Sequence, residues 1–512
     1  MLDGSGSGKS ASYSIPNAYQ MLGSYVFTDP KGELYDKTAG YLKKNGYDIK
    51  VLNLVNPQNS DGYNPLSHIQ SGLDVDVIAN TIVKGQKAEG GSADPYWDDM
   101  AEMLLKALIY YLMARRPEEE QNLASCAEMV RAANANGGSN TLTELINELP
   151  YDHPARMYYK SIEIAPDKTY GSILSSLQSK LGKFDSKEIA EVTSTDTINF
   201  EDIGSKKTAV YVISSDTHTA YDFLLTIFFA QMIQQLYNFA DENGGGLKVP
   251  VYFILDEFAN IGKIPDFDKK ISTSRSRKIS FSVILQNLDQ LEAVYEKSHE
   301  TIMGNCDTHV FLGSNSFKTV EYFSKALGEK TITRDSKSTN RDKDGKKSGT
   351  GTSEQLMGRA LMTPDELRRM DNDLCIIYEK GLKPVKAKKY YYFESNMAKK
   401  LSEHKLDHNN FDVGDRGEWR KFNPNNPVEL EGERSDLKVE SLDDLFDDDF
   451  NVNSNNKMNN FNEDINNNLF EFDDEMVPSN DITKFGEKEQ QDLQKELEAK
   501  FDELFGPLDD EE

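Results

Sequence analysis

A glycine-rich segment at residues 4–10, GSGSGKS, constrains the fold of this chain more than any other feature. Such a loop normally follows a buried parallel strand and opens a helix, because its backbone N–H groups and the helix N-terminus converge on bound phosphates. Only three residues precede it, so we expect the usual first strand to be missing. The full motif also has glycine at the position that Asp3 occupies in this chain, and the Asp3 carboxylate would repel phosphate. The segment predicts that the chain begins inside a nucleotide-binding domain. A flexible Gly/Ser terminus is the alternative. The candidate phosphate-binding residues are Gly4, Ser5, Gly6, Ser7, Gly8, Lys9 and Ser10.

Two adjacent carboxylates, Asp256 and Glu257, directly follow an apolar run at residues 251–255. Ligands bind at the carboxyl ends of strands in open α/β sheets. Asp256 is therefore expected to hold magnesium through water, and Glu257 to polarise the attacking water of an ATP-hydrolysing site. An acidic turn after a core strand is the alternative interpretation.

Three further polar residues are candidates for the same chemistry. Gln286 follows the next strand-like run, so it would emerge on the same edge and sense the γ-phosphate, or act only as a polar strand end. Arg275 and Arg277 leave three hypotheses open: an arginine finger supplied to a neighbouring subunit, a DNA contact, or a solvated surface.

Apolar runs separated by helical segments predict an α/β fold with a doubly wound parallel sheet. The runs lie at residues 25–27, 49–52, 209–213, 251–255, 281–285, 310–312 and 374–378. Between them, residues 75–195 show helical periodicity with hardly any strand signal, and we expect an inserted all-α domain there. The predicted parts are a first sheet segment at 1–74, the insertion, a second sheet segment at 196–402, and a tail at 403–512.

Charge is distributed unevenly along the 512 residues. Residues 431–512 hold 27 Asp and Glu against 7 Lys and Arg, a net charge of −20 of the total −28. We predict a disordered acidic tail from 403 and a mobile loop at 333–353, which lacks large apolar residues. Leu493, Leu497, Phe501 and Leu504 lie at helical spacing in the tail. Leu504 and Phe505 at the end of this pattern either dock on a partner or belong to a merely solubilising segment.

Three separated cysteines, no signal peptide and no apolar stretch long enough to span a bilayer predict a soluble cytoplasmic chain. The body outside the tail is slightly acidic, which is unusual for a DNA-binding protein. A candidate DNA-binding basic cluster, with an ordinary solvated face as the alternative, consists of Lys269, Lys270, Arg275, Arg277 and Lys278.

Several longer segments resemble the type IV coupling proteins of conjugation systems, the TraG/TraD group. They are TDPKGELY, YNPLSHI, DPYWDDMAEMLLKALIYYL, VYFILDEFANIGKIPDF, SFSVILQNLDQL, NCDTHVFLGSNSFKTVEYFSKALG and LMTPDELRRMDNDLCIIYEKGLKPVKAKKYYY. The resemblance runs from about residue 4 to 395. It implies a RecA-like P-loop ATPase of the FtsK/HerA branch with an inserted all-α domain.

The resemblance also implies cofactors, partners and site residues. Gly8, Lys9 and Ser10 would bind phosphates and Mg²⁺, while Asp256 and Glu257 would serve ATP hydrolysis. The implied partners are DNA, relaxase proteins and secretion channel components, and the implied assembly is a homo-hexamer at the cytoplasmic face of the cell membrane. The family usually carries transmembrane helices before the phosphate loop, and this chain shows none there. A non-catalytic docking adaptor and a soluble plasmid or chromosome segregation motor are the alternatives.

Overall fold

The computed structural model describes residues 1–3, 8–85, 95–133, 140–215, 220–341 and 347–426. The strands within these ranges are β1 (Leu2–Asp3), β2 (Ser24–Thr28), β3 (Asp48–Asn53), β4 (Thr208–Ile213), β5 (Val251–Leu255), β6 (Ile279–Val283), β7 (Thr308–Gly313), β8 (Glu329–Arg341), β9 (Lys347–Ala360), β10 (Leu374–Glu379) and β11 (Val385–Lys388). All seven predicted strands are present, with β6 beginning two residues before its predicted start.

Helices connect most of these strands. Those in the first half of the chain are α1 (Ile15–Ala18), α2 (Glu33–Lys44), α3 (Gly72–Lys84), α4 (Pro95–Arg115), α5 (Leu123–Ala132), α6 (Thr141–Asn147), α7 (Pro154–Glu163), α8 (Asp167–Leu181), α9 (Lys187–Ser194) and α10 (Phe200–Ser205). Those in the second half are α11 (Asp222–Glu242), α12 (Phe267–Thr273), α13 (Leu288–Tyr295), α14 (His299–Gly304), α15 (Phe317–Leu327), α16 (Pro364–Arg368) and α17 (Met397–Ser402).

Five of the strands form a parallel sheet in the order β3-β4-β2-β5-β6. Strand β2 lies at its centre, with Val26 opposite both Val210 of β4 and Phe253 of β5. Parallel pairing requires each connection to cross over one face of the sheet, and helices fill these crossovers. The predicted α/β fold class is confirmed.

The start of the chain joins this sheet to a second one of order β1-β7-β10-β11. The Met1 backbone nitrogen donates to Val283 O at 2.7 Å, and Leu285 N–H donates to Met1 O at 3.0 Å. Residues Leu2–Asp3 then pair in parallel with β7. Two residues therefore occupy the strand position before the phosphate loop, and the expectation that the usual longer strand is missing stays a prediction.

Both faces of the parallel sheet are buried, which explains the continuous apolar runs in the sequence. Alternate residues of β2 point to opposite sides: Tyr25 and Phe27 pack with α1 and α2, whereas Val26 belongs to the larger core that includes α11. Stacked rings at 5.0 Å join Phe27 to Tyr211 of β4. Helices on both sides hold the carboxyl ends of β2, β5 and β6 at one edge.

The described residues between β3 and β4 form helices α3 to α10 and contain no strand. These helices share one continuous core with the sheet and with α11, within the compact unit Met1–Val439. Helix α11 is buried nearly all round, because α3 and α10 of the inserted segment pack against it as well as the sheet. Its Gln231 is satisfied by the Tyr63 hydroxyl, at 2.6 Å. The predicted domain boundaries stay a prediction.

The segment at 333–353, expected to be a loop, is mostly strand. Strands β8 and β9 pair antiparallel from Glu329 with Ala360 to Arg341 with Lys347, outside the undescribed residues 342–346. Backbone pairing between two neighbouring segments needs no large apolar side chains, so the composition did not reveal it. The prediction of a loop is corrected to a β-ribbon.

The first part of the predicted tail lies within the described residues. Residues 403–426, here called the C-terminal strap, pack along the body: a Cβ at Gly40 would lie 2.0 Å from His404 O. Further along the strap, Phe422 is buried, and the Arg116 guanidinium lies 4.8 Å from the centroid of the Phe422 ring. The strap is polar in composition because it is held mainly by charged side chains and backbone groups. The rest of the predicted tail, including Leu504 and Phe505, lies outside the described residues.

No helix in the described part of the chain is long and apolar enough to span a bilayer. The same part places Cys126 and Cys375 in buried positions and Cys306 in a partly buried one, all as free thiols.

Candidate active site

Three adjacent strands bring polar residues to one edge of the sheet. Thr28 ends β2, Asp256 and Glu257 follow β5, and Gln286 comes after β6. The Thr28 hydroxyl donates to the backbone oxygen of Asp256 at 2.7 Å, which fixes the turn after β5 to the end of its neighbour. The edge predicted from the sequence is therefore the one at which these residues meet.

Lys9 reaches this edge from the other side. Gly8 has a φ of +83°, a conformation that favours glycine, and the chain turns there into a helical segment that starts at Ser10 and continues into α1. The Lys9 ammonium lies 2.8 Å from Asp256 Oδ1 and 3.0 Å from Glu257 Oε1. A helical segment thus follows Gly8 directly, while residues 4–7 lie outside the described part, so the phosphate loop stays a prediction.

Gln286 is bound to the same carboxylate. Its Nε2 donates to Glu257 Oε1 at 3.0 Å and to Oε2 at 3.1 Å. The backbone N–H of Gln286 donates in turn to Gln290 Oε1 at 3.1 Å, which steadies the residue at the strand end. Glu257 is thus held between Lys9 and Gln286, and the structure brings together the residues that the sequence predicted.

Glu257 also has an unusual backbone. Its φ of 52° and ψ of 43° place it in the left-handed region, which a non-glycine residue adopts at a cost of order 1–3 kcal/mol. The Glu257 N–H donates to Asp256 Oδ1 at 2.8 Å, so the turn that bears this strain also orients Asp256. Strain of this kind is typical of functional sites.

The charges at the site shift one another's protonation. Burial raises the pKa of Asp256 above its ordinary value, even with Lys9 beside it. Burial alone would raise the pKa of Glu257 too, but hydrogen bonds from Lys9 and Gln286, together with the nearby charge of Lys31, hold it below its ordinary value. Burial opposes the charge of Lys9, yet the two carboxylates raise its pKa. Two carboxylates sharing one ammonium leave a net negative charge when both are ionised.

This donor set fits magnesium and a nucleotide triphosphate. Hard carboxylate and hydroxyl oxygens are the ligands that Mg²⁺ prefers, and Asp256 and Ser10 supply one of each. The excess negative charge at the edge favours a divalent cation, while Lys9 offers a cation for phosphate. The assignment of Ser10 and Asp256 as metal ligands stays a prediction.

Arg275 is not part of this constellation within one chain. It is exposed in the turn between α12 and β6, at the amino end of β6, whereas Gln286 lies beyond the carboxyl end. Arg277 nearby pairs with Asp241 at 2.7 Å and covers the Tyr237 ring at 4.7 Å, so its charge already has a partner. The catalytic assignment of Arg275 therefore depends on a neighbouring subunit.

The rest of the candidate basic cluster lies in α12 and in the turn that follows it. Lys269 is 78% exposed and pairs with Asp266 at 3.0 Å, whereas burial lowers the pKa of Lys270. Lys278 is exposed and has a φ of +59°. Arg275 and Lys278 are thus the members of the cluster whose charges face solvent without an ion pair among the described residues.

Two residues near the site had no role assigned from the sequence. Lys31, after β2, is exposed and contributes positive charge at Glu257. Thr28 anchors the Asp256 backbone. Both belong to the segment TDPKGE, and the position of this segment directly after a strand was the available signal.

The architecture matches solved structures of the bacterial conjugative coupling protein TrwB. One of them has a TM-score of 0.55 and 17% identity, covering 76% of this chain and 83% of that one. Other TrwB structures are complexes with the ATP analogue ADPNP and with ADP and Mg²⁺. Fold and site together define the class of this chain: an α/β protein with the RecA-like fold of TrwB and a lysine–carboxylate cluster at the carboxyl edge of its parallel sheet.

The family follows from the sequence as a whole. A family model described as type IV secretory system conjugative DNA transfer matches residues 1–413, and the chain belongs to this family. It is 25% identical over 415 residues to protein VirD4 of Rhizobium rhizogenes, covering 77% of this chain and 58% of VirD4. It is 26% identical over 389 residues to conjugal transfer protein TraG of Escherichia coli, covering 71% and 60%. The chain thus spans about three fifths of these relatives.

Proposed function

We propose that this chain hydrolyses ATP with Mg²⁺ and uses the energy to move DNA, linking a relaxase–DNA complex to a type IV secretion channel during conjugation. The observation that carries the proposal is the contact of Lys9 with Asp256 and Glu257, at 2.8 and 3.0 Å, on the carboxyl edge of the sheet. Membership of the conjugative DNA transfer family supports the direction of the proposal.

Each site residue has a distinct task in this proposal. Lys9 binds the β- and γ-phosphates, and the Lys9 ammonium leaves the carboxylates when it does so. Asp256 and Ser10 would hold Mg²⁺, which when bound neutralises charge on the phosphates. Glu257 accepts hydrogen bonds from the attacking water and withdraws its proton, for which a lowered pKa keeps the carboxylate ionised. Gln286 orients Glu257 through two hydrogen bonds.

Assembly into a ring would complete the proposed DNA-translocating ATPase. A homo-hexameric ring would bring Arg275 of one chain toward the nucleotide of its neighbour or toward DNA in the lumen, and both roles need its exposed charge. Relaxase proteins and secretion channel components are the proposed partners. The complex would operate at the cytoplasmic face of the cell membrane, where such a channel opens.

Phosphate release with and without DNA tests the proposal. We expect DNA to stimulate ATP turnover by the unmodified chain, and Lys9→Ala to abolish turnover because the phosphates lose their cation. The matched control is Lys325→Ala, which removes a lysine that is 76% exposed and paired with Glu321 on the surface of α15. This control should keep the stimulated rate.

Two results would contradict the proposal. DNA-independent turnover in the unmodified chain would argue against a DNA motor. An unmodified chain that captures relaxase but neither binds nor hydrolyses ATP would instead support the docking adaptor.

A further inference from the structure

An aromatic run, Tyr390 to Phe393, follows the last strand of the second sheet. Lys389 fixes its starting point: this buried residue donates from Nζ to Leu312 O at 3.0 Å and from its backbone N–H to Asp373 O at 2.7 Å. Leu312 lies near the carboxyl end of β7, the strand that pairs with β1 just before the phosphate loop. The aromatic run is therefore anchored beside the nucleotide edge.

One ring of the run lies against the phosphate loop itself. A Cβ added to Gly8 would lie 3.1 Å from Cε1 of Tyr391, closer than an ordinary van der Waals contact. The Tyr391 hydroxyl is 3.3 Å from Asp373 Oδ1, which holds the far end of the ring. The glycine at position 8 thus permits both the turn of the loop and the approach of this ring.

The Tyr391 ring also contacts a second aromatic ring. It stacks on Phe393 with centroids 5.0 Å apart and planes 13° from parallel, and Phe393 is 56% exposed. The intervening Tyr392 packs against the core of α1 and α2, and Lys37 lies 5.6 Å above its ring. Among the described residues, Tyr391 and Phe393 belong to neither apolar core. The stacked pair is therefore an aromatic surface open to solvent beside Gly8.

We propose that Tyr391 and Phe393 form the stacking surface for the base of the nucleotide. The proposal rests on the proposed binding of nucleotide phosphates by Lys9, and it adds the residues that recognise the rest of the ligand. A purine has an apolar face and stacks on an aromatic ring regardless of its ring substituents. The pair therefore favours a nucleotide over a bare polyphosphate, and it binds adenine and guanine with similar strength.

Equilibrium binding of two ligands tests the pair in the full chain with Mg²⁺ present. The ligands are ATP and inorganic tripolyphosphate, which carries similar charge but no base. Phe393→Ala should weaken ATP binding roughly 5- to 100-fold, the range found when stacked aromatics are truncated, and leave tripolyphosphate binding unchanged. Phe393→Trp should retain ATP affinity. Tyr390→Ala is the matched control, because Tyr390 is equally exposed and lies outside the stacked pair.

Three outcomes would overturn the proposal. Unchanged ATP affinity in both Phe393→Ala and Tyr391→Ala would mean that the base lies elsewhere. An equal loss of ATP and tripolyphosphate binding would mean that the rings only support the phosphate loop. Absence of binding of either ligand by the unmodified chain would overturn nucleotide binding itself, and this inference with it.

Discussion

Gln286 donates its side-chain amide to both carboxylate oxygens of Glu257, at 3.0 and 3.1 Å. The two residues come from neighbouring strands, so the position of one depends on the pairing of β5 with β6. A ligand that drew the Gln286 side chain away would break its hydrogen bonds to Glu257 and free the carboxylate to move. A ligand that held Gln286 in place would keep the Glu257 carboxylate fixed. The contact therefore couples the end of β6 to the chemistry at the end of β5.

Replacing Gln286 should slow ATP turnover without abolishing nucleotide binding. We expect Gln286→Ala to lower kcat by about 10- to 100-fold, the usual effect of losing a residue that orients a reacting group. Loss of the amide also raises the pKa of Glu257, so the acidic limb of the kcat/KM profile should move to higher pH. Steady-state rates across pH, with exposed Gln20→Ala as control, measure both effects. An unmoved limb with unchanged kcat would contradict the role.

Asp29 should make stability depend on pH. Burial raises its pKa to about 7, although the Tyr35 N–H donates to its Oδ2 at 2.8 Å. In the unfolded chain the carboxyl loses its proton near pH 4, whereas in the folded chain it keeps the proton until about pH 7. The unfolded state therefore binds fewer protons in this window, and the contribution of Asp29 to stability declines as pH rises from about 4 to 7.

Asp29→Asn removes this decline. The stability of the variant relative to the unmodified chain should rise with pH by at most about 1.4 kcal/mol per pH unit, and level off above pH 7. Denaturant unfolding at a series of pH values measures the difference, with exposed Asp152→Asn as control. A stability difference that does not change across this window would show that Asp29 is ionised in the fold.

The C-terminal strap should contribute measurably to the stability of the body. The Arg416 guanidinium donates to the backbone oxygens of Ser60, Pro57 and Gln58, at 2.8 to 2.9 Å, and to Glu191 of α9 at 3.0 Å. It thereby ties the end of β3 to the inserted helices. We expect Arg416→Ala to cost about 2–3 kcal/mol of unfolding free energy, because several hydrogen bonds to one charge are lost.

Arg369→Ala is the control for this substitution. Arg369 is 75% exposed and, among the residues that the structure describes, forms an ion pair only with Asp365 of its own helical turn, so its loss should change stability by less than about 0.5 kcal/mol. Thermal or denaturant unfolding compares the two variants. Equal effects would mean that the strap does not hold the body together.

The strap also determines how the acidic tail should be tested for partner binding. Truncation after Asp407 would remove Arg416 and the buried Phe422 together with the tail, so the body should lose stability. Truncation after Asn426 should leave the melting temperature unchanged. If the tail docks on relaxase, the chain truncated after Asn426 should lose relaxase capture in a pull-down while remaining folded. Undiminished capture would argue against docking by Leu504 and Phe505.

The sequence predicted the sheet and its edge because both depend on local patterns. A run such as 251–255 is apolar on both faces, and the carboxylates after it must emerge at the edge where ligands bind. By the same reasoning, Arg275 precedes β6 in the chain and therefore lies at the amino end of this strand, whereas Gln286 lies beyond its carboxyl end. That conclusion was available from chain order alone.

The features that the sequence did not predict depend on distant partners. Arg416 contacts Ser60, 356 residues away, and nothing in the polar composition of the strap signals that contact. The ribbon of β8 and β9 is held by backbone pairing, to which a composition without large apolar side chains gives no clue. The Tyr391 contact with Gly8 likewise joins opposite ends of the body, so the aromatic run carried no evident role.

In the proposed function Lys9 and Glu257 act on one nucleotide, with Lys9 binding its phosphates and Glu257 activating the attacking water. Parallel measurement of ATP affinity and ATP turnover in Glu257→Gln, with Mg²⁺ and DNA present, tests it most directly. We expect ATP affinity to stay within about threefold while turnover falls at least about 100-fold, since the variant keeps the phosphate contacts and loses the general base. Turnover at the unmodified rate in Glu257→Gln would show that Glu257 is not the general base.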